Sequence, residues 1–146
     1  IFIKEPTISS NPRSMAVNGL DLEEIRAAGL EPHAACQALD EFVAKVSGGE
    51  KVMTVGHNIA FDIAFLRRLY RLADRELPQY FSHRTVDTHT LMWALVAQGK
   101  LPPHIKGSDS AFAHFGVSPP PETRHTALAD AEATRLLLGE LLALVG

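Results

Sequence analysis

Apolar positions recur along this chain at two different periods. Ala35, Leu39, Phe42, Val43 and Val46 follow Pro32 at helical spacing. They predict an amphipathic helix with that stripe buried, with Pro at its start, where a missing N–H does no harm, and Gly48-Gly49 at its end. Upstream, Asp21 with Glu24 three residues on reads as a capping box for a short helix that Gly29 terminates. Val52-Met53-Thr54-Val55 has no helical period; it is a short apolar run between turn residues, the pattern of an interior strand covered on both faces. A helix from about Phe61 to Ala73 comes next, then a short strand at Thr85-Val86-Asp87 and a helix from about His89 to Gln98. Ser108 is placed to cap a further short helix stopped by Gly116, and a last helix runs from about Thr126 to Leu144. Residues 1–4 read as the end of an opening strand, and Ser118-Pro119-Pro120-Pro121-Glu122 as a stiff loop. Short strands alternating with longer helices imply one α/β domain over residues 1–146, with helices on the faces of the sheet.

Composition narrows the class without naming it. A chain of 146 residues with 46% hydrophobic content can bury one substantial core. No apolar run approaches the length of a membrane span, so a soluble protein with no membrane partner is expected. Cys36, the single cysteine, sits among Ala35, Leu39 and Phe42 and reads as a core residue, which fits a reducing, cytoplasmic setting. The net charge of -3 neither requires nor excludes nucleic acid, since acidic metal ligands count as negative. The first residue is Ile and no signal-like segment precedes the fold, as expected of a piece cut from a longer polypeptide.

Two carboxylates break the pattern. Asp62 shares its angular position with Phe65, Leu66 and Leu69, while Arg67, Arg68 and Arg71 take the other side. Asp130 lies in a stripe with Ala133, Leu137, Leu141 and Leu144. An ionised carboxylate on an apolar face needs a cation, N–H donors or a place at the rim. Either one also suits the first turn of a helix, where the macrodipole favours negative charge, so each taken alone leaves both readings open.

The surrounding residues carry a resemblance. Val55-Gly56-His57-Asn58-Ile59-Ala60-Phe61-Asp62-Ile63-Ala64-Phe65-Leu66 resembles the second exonuclease motif of the proofreading epsilon subunit of bacterial DNA polymerase III and of ribonuclease T. His125-Thr126-Ala127-Leu128-Ala129-Asp130 resembles their third motif, a histidine and an aspartate separated by four residues. Support comes from the segment Pro12-Arg13-Ser14-Met15-Ala16-Val17-Asn18-Gly19, from Val86-Asp87-Thr88, and from the stretch between Phe112 and Val117. This resemblance is to the DEDDh type of 3′-to-5′ exonuclease. It implies a ribonuclease H-like exonuclease fold, with a central mixed sheet and helices on both faces. It also implies hydrolysis of phosphodiester bonds at a single-stranded DNA or RNA 3′ end, with a polymerase subunit or a second copy of the chain as further partners. Four carboxylates in that family hold two Mg²⁺ or Mn²⁺ ions about 4 Å apart. By resemblance Asp62 and Asp130 would be metal ligands, converging at the C-terminal edge of the sheet, and His125 the general base, an imidazole being suited to proton transfer near neutral pH. His125 is expected on a loop, free of the protein core.

The family's first motif, an Asp-x-Glu on the first strand, has no counterpart here. Asp21-Leu22-Glu23 has the spelling but falls in the capped helix. The expectation is that the first strands and two ligands lie on the order of 30 residues upstream, judged from ordinary strand and turn lengths, and that the chain alone is inactive. Two alternatives stay open: a catalytically degenerate binding or interaction module of the same fold, and a metallohydrolase using two His-x4-Asp pairs. His57 and Asn58 are expected to position the turn after the strand, and Asp87-Thr88 to cap the next helix. Trp93 is read as a core residue or part of a dimer face, and the remaining histidines share no zinc-like spacing.

Overall fold

The computed structural model describes every residue except 8, 9, 14, 16–18 and 146. Part of the Pro12 to Gly19 segment that supports the family resemblance therefore lies outside the described residues. The described elements run α1 (Leu22–Ala28), α2 (Pro32–Ser47), β1 (Val52–Gly56), α3 (Ile59–Leu72), β2 (Phe81–Asp87), α4 (Thr88–Ala97), α5 (Ser108–Phe115) and α6 (Ala127–Val145). β1 and β2 pair in a small parallel sheet, with α3 as the helix that returns the chain for a parallel strand. Residues 1–4 contribute a bridge between Ile3 and Leu30 and no longer strand.

Local chemistry sets the element ends. Asp21 Oδ1 accepts the Glu23 N–H at 2.8 Å, and Pro32 opens α2. Gly48 closes α2 and Gly116 closes α5, both left-handed, with φ of 61° and 67°. The start of α5 departs from expectation. Its cap position is Gly107, and Ser110 Oγ receives the Lys106 and Gly107 N–H groups instead of Ser108 doing so. β2 is longer than its apolar signature, extended at its start by Phe81 and three polar residues through Arg84.

The chain packs as two compact units: residues 1–53 with 61–83, and residues 54–60 with 84–146. The first has a small core of Ala35, Cys36, Leu69 and Tyr70, with Leu39, Leu77 and Phe81 against it. Cys36 is fully buried there, and burial raises its thiol above the ordinary value. Beside this core, Asp40 accepts hydrogen bonds from Tyr70 Oη at 2.5 Å, from Tyr80 Oη, and from Arg75 Nη2 at 2.6 Å. Burial on its own would raise the Asp40 carboxyl; the hydrogen bonds from Tyr70, Tyr80 and Arg75 outweigh it and hold the group below the usual aspartate range. The second unit has a larger apolar cluster built from Met92 and Leu95 of α4, Phe112 of α5, and Ala133, Leu137 and Leu141 of α6.

Five positions with a buried expectation are open. Phe42 and Val46 of α2 are each 61% exposed, so the buried stripe of that helix narrows to Ala35, Cys36 and Val43. Met53 and Val55 of β1 are exposed while Val52, Thr54 and Gly56 are half-buried, so this strand alternates and is not covered on both faces. Trp93 is 71% exposed, which removes it from the core, because α4 turns Met92 and Leu95 inward and leaves Trp93 outward.

Candidate active site

The first unit contains Asp62, in the opening turn of α3. The carboxyl is exposed, contrary to the inward direction expected from its helical neighbours. Phe61 and Phe65 are 63% and 56% exposed, with their ring centres 4.7 Å apart and their planes tilted by 49°, and Leu69 is the member of that stripe that reaches the core. Asp62 is nevertheless crowded enough on one side that desolvation raises its carboxyl above the ordinary aspartate value, against a smaller opposite effect of a backbone hydrogen bond.

The second unit contains the turn after β1. A Cβ at Gly56 would lie 2.6 Å from Ile59 Cδ1, so the Ile59 side chain would have to shift to admit one. Asn58 takes a left-handed conformation, φ 61°, and its N–H donates to Asp87 Oδ1 at 2.8 Å. The same Asp87 oxygen caps α4 by accepting the His89 N–H at 3.0 Å. Thr88 is fully buried and donates its hydroxyl to the Gly56 carbonyl at 3.2 Å. Having spent its proton there, Thr88 Oγ1 can only accept from His57 Nδ1, 3.1 Å away, so Nδ1 carries the imidazole proton. Burial lowers the His57 pKa, the neighbouring His89 ring lowers it further, and Asp87 and Asp109 only partly oppose this. His57 is thus a neutral, tautomer-fixed ring that positions the turn, as the sequence suggests for it and Asn58.

Further along the same unit, the turn at residues 121–125 leads into α6. His125 has φ of 72°, a conformation that costs a non-glycine residue on the order of 1 kcal/mol or more. Its imidazole is exposed, and its backbone N–H donates to Asp130 Oδ1 at 3.3 Å. Asp130 also receives Arg124 Nη1, and Arg124 reaches Asp109 through Nη2 and through Nε at 3.1 Å. The guanidinium lies over the Phe112 ring, 5.4 Å from its centre. Burial works against the Arg124 charge, and the two carboxylates more than offset it, raising the arginine pKa.

His125 and Asp130 therefore come together in one unit, with Arg124 and Asp109 joining them, while Asp62 belongs to the other unit. Arg124 and Asp109 carry no sequence signal beyond the adjacency of Arg124 to His125. Both carboxylates offer the hard oxygen donors that Mg²⁺ or Mn²⁺ takes. Among the described residues no group of three or more His, Cys, Asp or Glu could hold a metal ion, and Asp130 is already countered by Arg124.

A family model for the 3′-5′ exoribonuclease Rv2179c-like domain matches residues 23–142. The chain belongs to this family. The match takes in both the Asp62 turn and the His125 to Asp130 segment, and the helices with a small parallel sheet are compatible with the ribonuclease H-like exonuclease fold. No curated protein matches the chain. No described helix is long and apolar enough to cross a membrane.

Proposed function

We propose that this domain trims single-stranded RNA from its 3′ end, releasing 5′-mononucleotides, and that it does so as a DEDDh-type enzyme. The observation that carries the proposal is the coincidence of two independent facts. The family model is that of a 3′-5′ exoribonuclease domain, and within the matched residues His125 stands exposed, with its own backbone N–H on Asp130. An imidazole open to solvent can reach a substrate, which a general base has to do.

In the reaction so proposed, water attacks the terminal phosphorus, the bond from phosphorus to the 3′ oxygen breaks, and the 3′ oxygen takes a proton from solvent. His125 accepts the proton that the water loses. Asp130 accepts the backbone N–H of His125, whose φ is 72°. By the family resemblance the reaction would also take Mg²⁺ or Mn²⁺, for which Asp62 and Asp130 are each a candidate ligand.

The test uses the full protein on a 5′-labelled single-stranded RNA and on a circular RNA of the same sequence. A descending ladder from the linear RNA with the circle intact is the expected result. Cleavage of the circle would reverse the proposal, because an exonuclease needs an end. The Arg124 to Asp130 ion pair favours a second reading, a non-catalytic RNA-binding module of the same fold. Binding of the linear RNA without any shortening, with either metal present, would select it.

A further inference from the structure

A cavity of about 450 Å³ opens in the second unit between the proline-rich stretch at 117–120 and the first turns of α6. Its lining is mostly apolar: Pro119 and Pro120 contribute from the loop, Leu128 and Leu136 from the helix, and both leucines are exposed. Thr123 and Thr126 also line it, and they bracket Arg124 and His125, so the cavity abuts the turn of the proposed general base. Both hydroxyls are spent inside the wall. Thr123 Oγ1 donates to the Pro120 carbonyl at 3.1 Å and Thr126 Oγ1 to the Thr123 carbonyl at 2.7 Å, which leaves Ser118 as the other hydroxyl of the lining. The one charge among the described lining residues, Glu132, is held by Arg135 through Nε at 2.9 Å and Nη2 at 2.7 Å, so it is already countered when a polyanion approaches. What remains is an apolar slot of the size that takes a small molecule, with few donors or acceptors to select a polar one.

Single-stranded RNA carries groups that suit such a slot, since every base has a flat face that stacks on apolar and aromatic surfaces. The direction of the reaction selects which base. Water attacks the phosphorus in line with the departing 3′ oxygen, and His125 takes the proton of that water, so the upstream RNA leaves on the side of the phosphorus away from His125. The terminal nucleotide is the part left beside the turn. We propose that this cavity holds the base of the 3′-terminal nucleotide, with the prolines and leucines against its faces. The identity of the occupant rests on the exonuclease reading under the proposed function. Recognition is by face and size, so all four bases enter and an abasic nucleotide gains nothing.

The first measurement needs no catalysis. 5′-AMP, the form in which a terminal adenosine is released, and ribose 5-phosphate, the same molecule without its base, are titrated separately into the full protein while the leucine methyl signals are followed by NMR. AMP is expected to move the Leu128 and Leu136 methyls upfield, through the ring current of the stacked base, and ribose 5-phosphate to leave them in place. No movement with AMP at millimolar concentration, or equal movement with both, overturns the proposal. Methyl shifts that follow protein concentration and not AMP make a second copy of the chain the occupant, and overturn it equally. The second measurement compares KM for a single-stranded RNA and for the same RNA ending in an abasic nucleotide. The base is expected to lower KM about 5-fold or more, the lower end of the scale for stacking one base, and Leu136→Ser to narrow that gap. Should Leu136→Ser fail to fold, Leu128→Ser takes its place, at a position 84% exposed. Equal KM for the two RNAs, or a gap that neither variant narrows, overturns the proposal. A wild type that shortens neither RNA but shows the AMP-specific methyl shifts refutes the exonuclease reading and keeps the cavity as a base site; without the shifts, both fall.

Discussion

The two compact units are held by different forces. In the first, a small apolar cluster around Cys36 and Tyr70 is supplemented by a polar knot in which one carboxylate, Asp40, takes hydrogen bonds from two tyrosines and an arginine. In the second, α4, α5 and α6 close on a larger apolar cluster, and Arg124 spans Asp109 and Asp130. The difference teaches where chemistry can be placed. A carboxylate consumed by three donors, as Asp40 is, has been committed to structure. Asp130 is tied only to one arginine and one backbone N–H.

The strongest way to break this comparison is to cut into the larger apolar cluster. Leu137 is fully buried against residues of α4 and α5, so Leu137→Ala is expected to cost about 2–5 kcal/mol of unfolding free energy, the range for leucine cavities. Chemical denaturation measures it, and a loss under about 1 kcal/mol would mean the cluster can collapse around the gap. In the first unit, Asp40→Ala leaves two hydroxyls and a guanidinium without their shared acceptor. A loss of about 1–3 kcal/mol is expected, smaller than for Leu137→Ala because Asp40 and Arg75 keep some contact with water.

Acid sharpens the contrast further. Asp40 ionises more readily in the fold than in the unfolded chain, so its contribution is present above the ordinary aspartate value and is lost as pH falls through the lowered one. The loss should therefore begin below about pH 4. Tyr70 and Tyr80 are the two tyrosines of the chain and both sit in the knot, so near-ultraviolet tyrosine signals report on it. A change in the tyrosine signal on acidification that Asp40→Asn abolishes is expected; the same change in both proteins would place the acid-sensitive group elsewhere. The smallest effect concerns Asp62. Its raised carboxyl means that the charge slightly disfavours the fold, with stability present at low pH and lost as pH rises through the raised value. Asp62→Asn should leave the melting temperature unchanged or marginally higher, and a clear drop would show that Asp62 is structural.

Much of the architecture was readable from residue spacing. The stripe of Ala133, Leu137 and Leu141, the Pro start of α2, the glycine ends of α2 and α5 and the capping role of Asp87 all follow from local rules, and the structure has them. Burial was less readable, because periodicity gives a face but not what lies against it. Phe42, Val46, Phe65 and Val55 have apolar spacing and yet remain exposed in the described structure. The candidate site was legible where short motifs carry it, at His57, Asp62, His125 and Asp130. Arg124 and Asp109 were not, since an ion pair between residues fifteen positions apart leaves no periodic trace. The tautomer of His57 was equally hidden, as it depends on a hydroxyl thirty-one residues away.

The central claim is that the turn bearing His125 does chemistry. The most direct measurement is the rate at which the full protein releases 3′-terminal mononucleotides from single-stranded RNA, for the wild type, His125→Gln and His104→Gln. His104 is an exposed histidine of the same unit and serves as the control. The account predicts a loss of about 10²- to 10⁴-fold for His125→Gln, the usual contribution of a general base, with His104→Gln at the wild-type rate. A His125→Gln protein that releases mononucleotides as fast as the wild type would contradict it.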